Sequence, residues 1–262
     1  MSAPVQMRIE GDIAYLTLNR PEAGNAIDLA LAHALLQAVI RCDQDAGIRC
    51  VVLSGSGRFF CTGGDLGAFK AAGDEISGFL SEIAGVLHMS ISRLMRMNKP
   101  MLVLVNGPAA GAGFSLALAG DIVVATRGAS FAPAYGSVGL SPDGGLTWHL
   151  PRLLGMRRAQ EVILLNQRLS AVDAAQQGLI TLVVDDDALH SEGARLARAL
   201  ADSATAAIGR TRRLLLETYG GGLESHLEKE ARCVAESGAG PEAREGVTAF
   251  SEKRQPNFQV GV

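Results

Sequence analysis

No uncharged apolar run in this chain is long enough to span a bilayer. The nearest approach, residues 101–120, is interrupted by Asn106, Pro108 and Ser115, and reads as a strand followed by a helix. Positive charge is not in excess. Lys and Arg number 24 against 27 Asp and Glu, net −3, so the broad cationic face that nucleic acid requires is not expected. Cysteine is scarce: Cys42, Cys50, Cys61 and Cys233 show no paired metal spacing, which predicts reduced thiols, no metal and a cytoplasmic protein. The opening MSAPVQMRIEGD has no basic segment followed by an apolar core, so no signal peptide is expected. Low-complexity segments and short exact repeats are also missing.

What is present suits a globular protein. A chain of 262 residues buries roughly 70–75% of the surface its unfolded form exposes. Short Val/Ile/Leu-rich runs at Ile13–Leu18, Cys50–Leu53, Met101–Val105, Ile122–Ala125 and Leu179–Val184 alternate with helical patterns. One helix opens behind Asp28 as its N-cap, and another covers 74–97. That alternation predicts an α/β fold with a parallel sheet covered on both faces. After Asp185-Asp186-Asp187 the pattern is helical only. The expected division is a core at 1–187 and a helical region at 188–262.

Two side-chain-poor turns follow two of these strands: Thr62-Gly63-Gly64-Asp65 and Ala109-Ala110-Gly111-Ala112-Gly113. Each can present a backbone N–H at a helix start. Two such groups converging on one point make an oxyanion hole. The same small residues also permit close helix–strand packing, and the spacing alone leaves both readings open. Neither turn carries the Lys-Ser or Lys-Thr of a phosphate loop, and Gly107, Gly111 and Gly113 miss the dinucleotide fingerprint.

The order of motifs settles the comparison. Asn19-Arg20-Pro21 with Asn25-Ala26, Phe60-Cys61-Thr62-Gly63-Gly64-Asp65-Leu66, Asn106 to Gly113, Asp121, Ser141-Pro142-Asp143-Gly144-Gly145 and Leu153-Leu154-Gly155 occur in register. So do Gly178-Leu179 and Phe250 to Arg254. Along essentially its whole length the chain resembles the enoyl-CoA hydratase/isomerase (crotonase) family. The resemblance implies a spiral of ββα units, a C-terminal helical trimerisation region and an acyl-CoA thioester substrate. Coenzyme A would enter as part of the substrate, with no separate cofactor. A homotrimer or a dimer of trimers is implied. The oxyanion amides would be those of Gly64 and Ala112. Thr62, Gly63, Asp65, Leu66 and Gly67 would lie along the CoA, and Glu22, Ala23 and Ala26 would border its nucleotide. Phe69, Phe131, Tyr135 and Leu140 would close the acyl pocket, and Lys253 would approach the CoA phosphates. Arg210, Arg212 and Arg213 read as a solvated basic cluster that could do the same.

Two positions depart from the hydratase pattern. Ser115 and Tyr135 stand where hydratases carry the two glutamates that handle water. Neither replacement activates water well near neutral pH. Asp143 remains. Pro-Asp-Gly is a common turn, but Ser-Pro-Asp-Gly-Gly resembles the branch containing ring-epoxide isomerases of phenylacetyl-CoA breakdown and double-bond isomerases. There one Asp shuttles the proton. Other readings are a weak hydratase, an aryl-CoA dehalogenase with Asp143 as nucleophile and His88 near it, and a non-catalytic acyl-CoA-binding scaffold. His149 is expected to be structural, His33, His190 and His226 solvated, and Cys61 unreactive.

Overall fold

The computed structural model describes residues 3–259. The outermost ends of the two expected regions, and the first two residues of the N-terminal stretch, lie outside them. Nine strands are described: β1 (Val5–Glu10), β2 (Ile13–Leu18), β3 (Cys50–Gly55), β4 (Met101–Val105), β5 (Ala109–Ala110), β6 (Ile122–Thr126), β7 (Ser130–Ala132), β8 (Leu169–Ser170) and β9 (Leu182–Val184). The helices are α1 (Leu29–Gln44), α2 (Leu66–Ala72), α3 (Ile76–Arg96), α4 (Ala112–Ala117), α5 (Leu146–Leu154), α6 (Met156–Leu164), α7 (Ala171–Gln176), α8 (Leu189–Asp202), α9 (Thr205–Glu217), α10 (Leu223–Gly238) and α11 (Pro241–Ser251).

The main sheet has the order β1-β2-β3-β4-β6-β9, and a smaller one has the order β5-β7-β8. From β2 onward the main sheet is parallel, as expected. Its first pair is antiparallel, Val5 facing Leu18 and Glu10 facing Ile13. The sheet is therefore mixed, with an edge strand that sequence reading passed over. In β1 only Val5 is buried, so the strand carries no apolar run to announce it.

Side-chain alternation divides the sheet into two faces. Leu16, Val51, Leu53, Met101, Val103 and Val123 join the larger core with α1 and α3. Val52, Leu102, Leu104 and Val124 point the other way, onto Leu189, Ala197 and Ala201 of α8. The helical region expected at 188–262 begins with a helix that shares a core with the strands.

Arg212 departs from its expected place in a solvated cluster. It is buried at 7% exposure. Its Nε donates to Asp121 at 2.7 Å, and its terminal nitrogens donate to the carbonyls of Leu94, Met97 and Lys99. The guanidinium collects orphan carbonyls from the C-terminal end of α3, where a cation is favoured. Asp121 also accepts the Met101 amide at 2.7 Å. Together they fix the start of β4 against α9.

Candidate active site

β3 and β4 are neighbours in the sheet, so the turns that follow them lie side by side. Cys61 and Ala109 form a parallel bridge, and Ile27 bridges Gly64. In the second bridge Ile27 bonds the Gly63 carbonyl at 2.7 Å and the Asp65 amide at 2.9 Å. A parallel bridge made through both neighbours turns the N–H of the middle residue, Gly64, to the opposite side. Ala112 is the first residue of α4, and a first-turn amide has no intrahelical acceptor. Among the described residues no protein acceptor takes either amide.

The two turns touch. A Cβ on Gly63, whose φ is +97°, would lie 3.0 Å from the Ala110 carbonyl and 3.5 Å from the Ala112 nitrogen. A Cβ on Gly113 would overlap the Cys61 carbonyl. Glycine is therefore required twice where these backbones meet. Beyond the amides lies a cavity of about 510 Å³. Thr62, Gly63, Leu66, Phe69, Tyr135 and Leu140 line it, together with Gly64, Ala112 and Asp143. Asp143 is the only carboxylate among its lining residues.

The Asp143 carboxyl is held closely. The Tyr135 hydroxyl donates to its Oδ1 at 2.5 Å. Burial, then the Asp143 charge, push the Tyr135 phenol far above its usual range, so it stays protonated. The buried Ser115 hydroxyl donates to the Asp143 carbonyl at 2.8 Å. A Cβ on Gly144 would fall 2.8 Å from the Ser115 Cβ. Ser115 therefore packs directly against the turn that carries Asp143 and bonds its backbone. His88 Nε2 accepts the Gly144 amide at 3.0 Å and lies 3.7 Å from Asp143 Oδ2.

Other expected residues fall elsewhere. Phe131 is fully buried and packs on Phe114 with ring centres 5.4 Å apart, so it supports the site without walling it. Asp65 caps α2, accepting the Gly67 and Ala68 amides, and pairs with Arg20 at 3.0 Å. It and Gly67 organise the loop without lining the cavity. Glu22 and Ala23 form a short 3-10 turn outside the cavity wall, and the Ala26 carbonyl accepts from Arg20. Lys253 follows α11 and is exposed, away from the cavity wall. His33 and His190 are exposed, while His226 is half-buried and faces Glu230 at 3.6 Å. Burial pushes the Cys61 thiol up to about 12, which leaves it inert.

Sequence reading missed the α3 side of the cavity. Leu80, Ser81, Ile83, Ala84 and Leu87 line it from that helix. Ile83 and Leu87 carry the expected helical period, but the period alone cannot separate a stripe facing a core from one facing a cavity.

His149 is buried beside Trp148, with ring centres 5.0 Å apart. Burial, and then the Arg152 charge, lower its pKa from 6.5 to about 4. The fold therefore prefers neutral His149, and the unfolded chain takes up the proton first. This contribution is complete above pH 6.5 and is lost as pH falls from 6.5 to about 4. It amounts to about 3 kcal/mol at one kcal-scale step per pKa unit. Urea unfolding at pH 7 and pH 4.5 is expected to show this loss in the native chain. His149→Gln is expected to show a smaller loss, and equal losses would refute the assignment.

The chain belongs to the enoyl-CoA hydratase/isomerase family, whose model matches residues 8–260. The crotonase fold expected from the motifs is the fold observed, and acyl-CoA thioesters are the family's substrates. The chain is 38% identical over 258 residues to the 1,2-epoxyphenylacetyl-CoA isomerase of Escherichia coli (strain K12), covering 95% of this chain and 96% of that one. It is 40% identical over 255 residues to a Rhodobacter capsulatus protein named "Probable enoyl-CoA hydratase", covering 97% of each. In structure it matches an enoyl-CoA hydratase from Polaromonas sp. JS666 with a TM-score of 0.92 at 35% identity, over 97% of this chain and 98% of that one. No helix among the described residues is long and apolar enough to cross a membrane.

Proposed function

We propose that the protein is an acyl-CoA isomerase that moves a double bond or opens a ring epoxide through a thioester enolate. One observation carries this reading. A single carboxylate, Asp143, shares a cavity with two unpartnered amides, while the two water-handling positions hold Ser115 and Tyr135. The Gly64 and Ala112 amides hold the thioester oxygen as negative charge develops on it. Asp143 takes a proton from one carbon and returns it to another. An isomerisation consumes no water, so one group can act first as base and then as acid.

Hydration differs in needing a group to activate water, and no second carboxylate lines this cavity. The 38% identity to an epoxide isomerase supports the reading. Association into a homotrimer or dimer of trimers, through the C-terminal helices, is part of the proposal. Leu215, Leu223, Val234, Val247 and Phe250 are each at least 67% exposed on these helices, an apolar surface that suits burial between subunits.

The test is a substrate panel. Turnover of trans-3-hexenoyl-CoA or 1,2-epoxyphenylacetyl-CoA is expected, with no water added to trans-2-hexenoyl-CoA. Efficient hydration of the 2-enoyl thioester would overturn the proposal. So would halide release from 4-chlorobenzoyl-CoA, or binding of the whole panel without turnover.

A further inference from the structure

We propose that Tyr135 is a positioning residue for Asp143: its hydroxyl engages Oδ1 and leaves Oδ2 as the single oxygen that carries the proton. The proposal rests on the reading of Asp143 as the shuttle, and adds how that carboxylate is aimed.

Three observations place the roles. First, the Tyr135 hydroxyl lies 2.5 Å from Oδ1. It lies only 3.3 Å from Ser115 Oγ, but the serine proton is committed to the Asp143 carbonyl at 2.8 Å. The phenol proton therefore goes to the carboxylate, where a charge-assisted bond is strongest. Secondly, the tyrosine is itself anchored. Its carbonyl accepts the Val138 amide at 3.0 Å and the Leu140 amide at 3.1 Å. Its ring stands at the Gly111 turn, with Cζ 4.0 Å from where a Gly111 Cβ would be. Thirdly, Oδ2 has no donor among the described residues.

His88 is its nearest ionisable neighbour, at 3.7 Å. The lone pair on His88 Nε2 is already used by the Gly144 N–H. That nitrogen bears no proton, so the ring is the neutral Nδ1–H tautomer and gives nothing to Oδ2. Among the described residues, Tyr135 and Asp143 are the only ionisable groups in the cavity lining, and His88 approaches Asp143 from α3 outside that lining.

The two carboxylate oxygens thus have unequal tasks. A tyrosine at 135 supplies what an acidic residue there could not, a neutral donor beside the carboxylate. A carboxylate in its place would repel Asp143 and compete for the proton. The tyrosine converts a site that could hold two acidic groups into a site with one, oriented.

Tyr135→Phe keeps the ring and removes the donor. With 1,2-epoxyphenylacetyl-CoA or trans-3-hexenoyl-CoA, kcat is expected to fall about 10- to 100-fold, with KM within about twofold. Losing a donor to the charged carboxylate moves the acidic limb of the pH–kcat profile upward. Tyr135→3,5-difluorotyrosine retains the shape and strengthens the donor, so the limb moves downward. It decides the matter even if the Phe variant fails to fold. Both profiles are recorded in a His88→Gln background, where the glutamine carbonyl can still accept the Gly144 amide and no imidazole stands beside the carboxylate. Opposite shifts of the limb support the proposal. Profiles that superimpose on that of His88→Gln alone overturn it, even if kcat falls, because a merely structural role would lower the rate without moving the limb. Asp143→Asn separates the two levels. If that variant is inactive while the limbs do not move, only the role of Tyr135 fails; if it remains active, the shuttle assignment fails as well.

Discussion

Replacing Asp143 by Asn is expected to lower isomerase kcat by about 10²–10⁴-fold, the range for a removed general acid–base. The substitution is nearly isosteric. Tyr135 can still donate to the side-chain carbonyl oxygen, and the Ser115 bond goes to the Asp143 backbone and is unaffected. The cavity therefore keeps its shape and loses only the proton carrier. Thioester affinity, measured by calorimetry with the saturated hexanoyl-CoA, is expected to stay within about threefold, since that ligand is held by groups that are unchanged. A variant retaining more than about a tenth of native kcat would remove Asp143 from the proton-transfer step.

The second large effect is expected from Ala112→Pro. Proline has no N–H, so the variant deletes one of the two amides proposed to hold the thioester oxygen. The backbone accepts the change, and the proline Cδ takes the place of the amide hydrogen, so the thioester oxygen loses a donor and meets a methylene instead. Ala112 is the first residue of α4, where proline is favoured because the missing N–H is an orphan in any case. Gly111 precedes it at φ 53° and ψ −128°, outside the α region that proline disfavours for its predecessor. Loss of one oxyanion donor typically lowers kcat by about 10²–10³-fold. Thermal unfolding is expected to move by only a few degrees, which separates lost chemistry from lost fold. A variant that keeps its melting temperature and its kcat would place the oxyanion elsewhere.

Much of this was legible from residue order. The buried strands announced themselves because parallel strands covered on both faces need continuous Val, Ile and Leu, as in MLVLV of β4. Asp28 was readable as a cap because a short acidic side chain before an apolar period has few other uses. That neither position 115 nor position 135 carries an acid was also readable, since it needs only the identities of Ser115 and Tyr135. Harder to see were β1, with one buried residue, and β5, β7 and β8, each two or three residues long and too short for a period to emerge.

Side-chain partnerships were the main blind spot. Phe131 and Leu140 look alike as apolar residues of one loop, yet one is in the core and the other on the cavity wall. Arg212 sits among arginines in sequence and is nonetheless the one turned inward, because α9 crosses the end of α3 at that residue. His88 was expected near Asp143 only through family resemblance. Its tautomer follows from the Gly144 amide, which no spacing rule predicts.

By itself, then, the chain's sequence determined its family, its strand–turn–helix units, its small-residue turns and the residue identities at 115, 135 and 143. These depend on local properties: apolar runs, caps, glycine tolerance and residue identity. Tertiary structure alone decided that Gly64 and Ala112, in turns after two neighbouring strands, open onto one cavity, and that Tyr135 grips one oxygen of Asp143. The reason is geometric. Strand order in a parallel sheet brings distant turns together, whereas a hydrogen bond of 2.5 Å depends on packing that no linear spacing encodes.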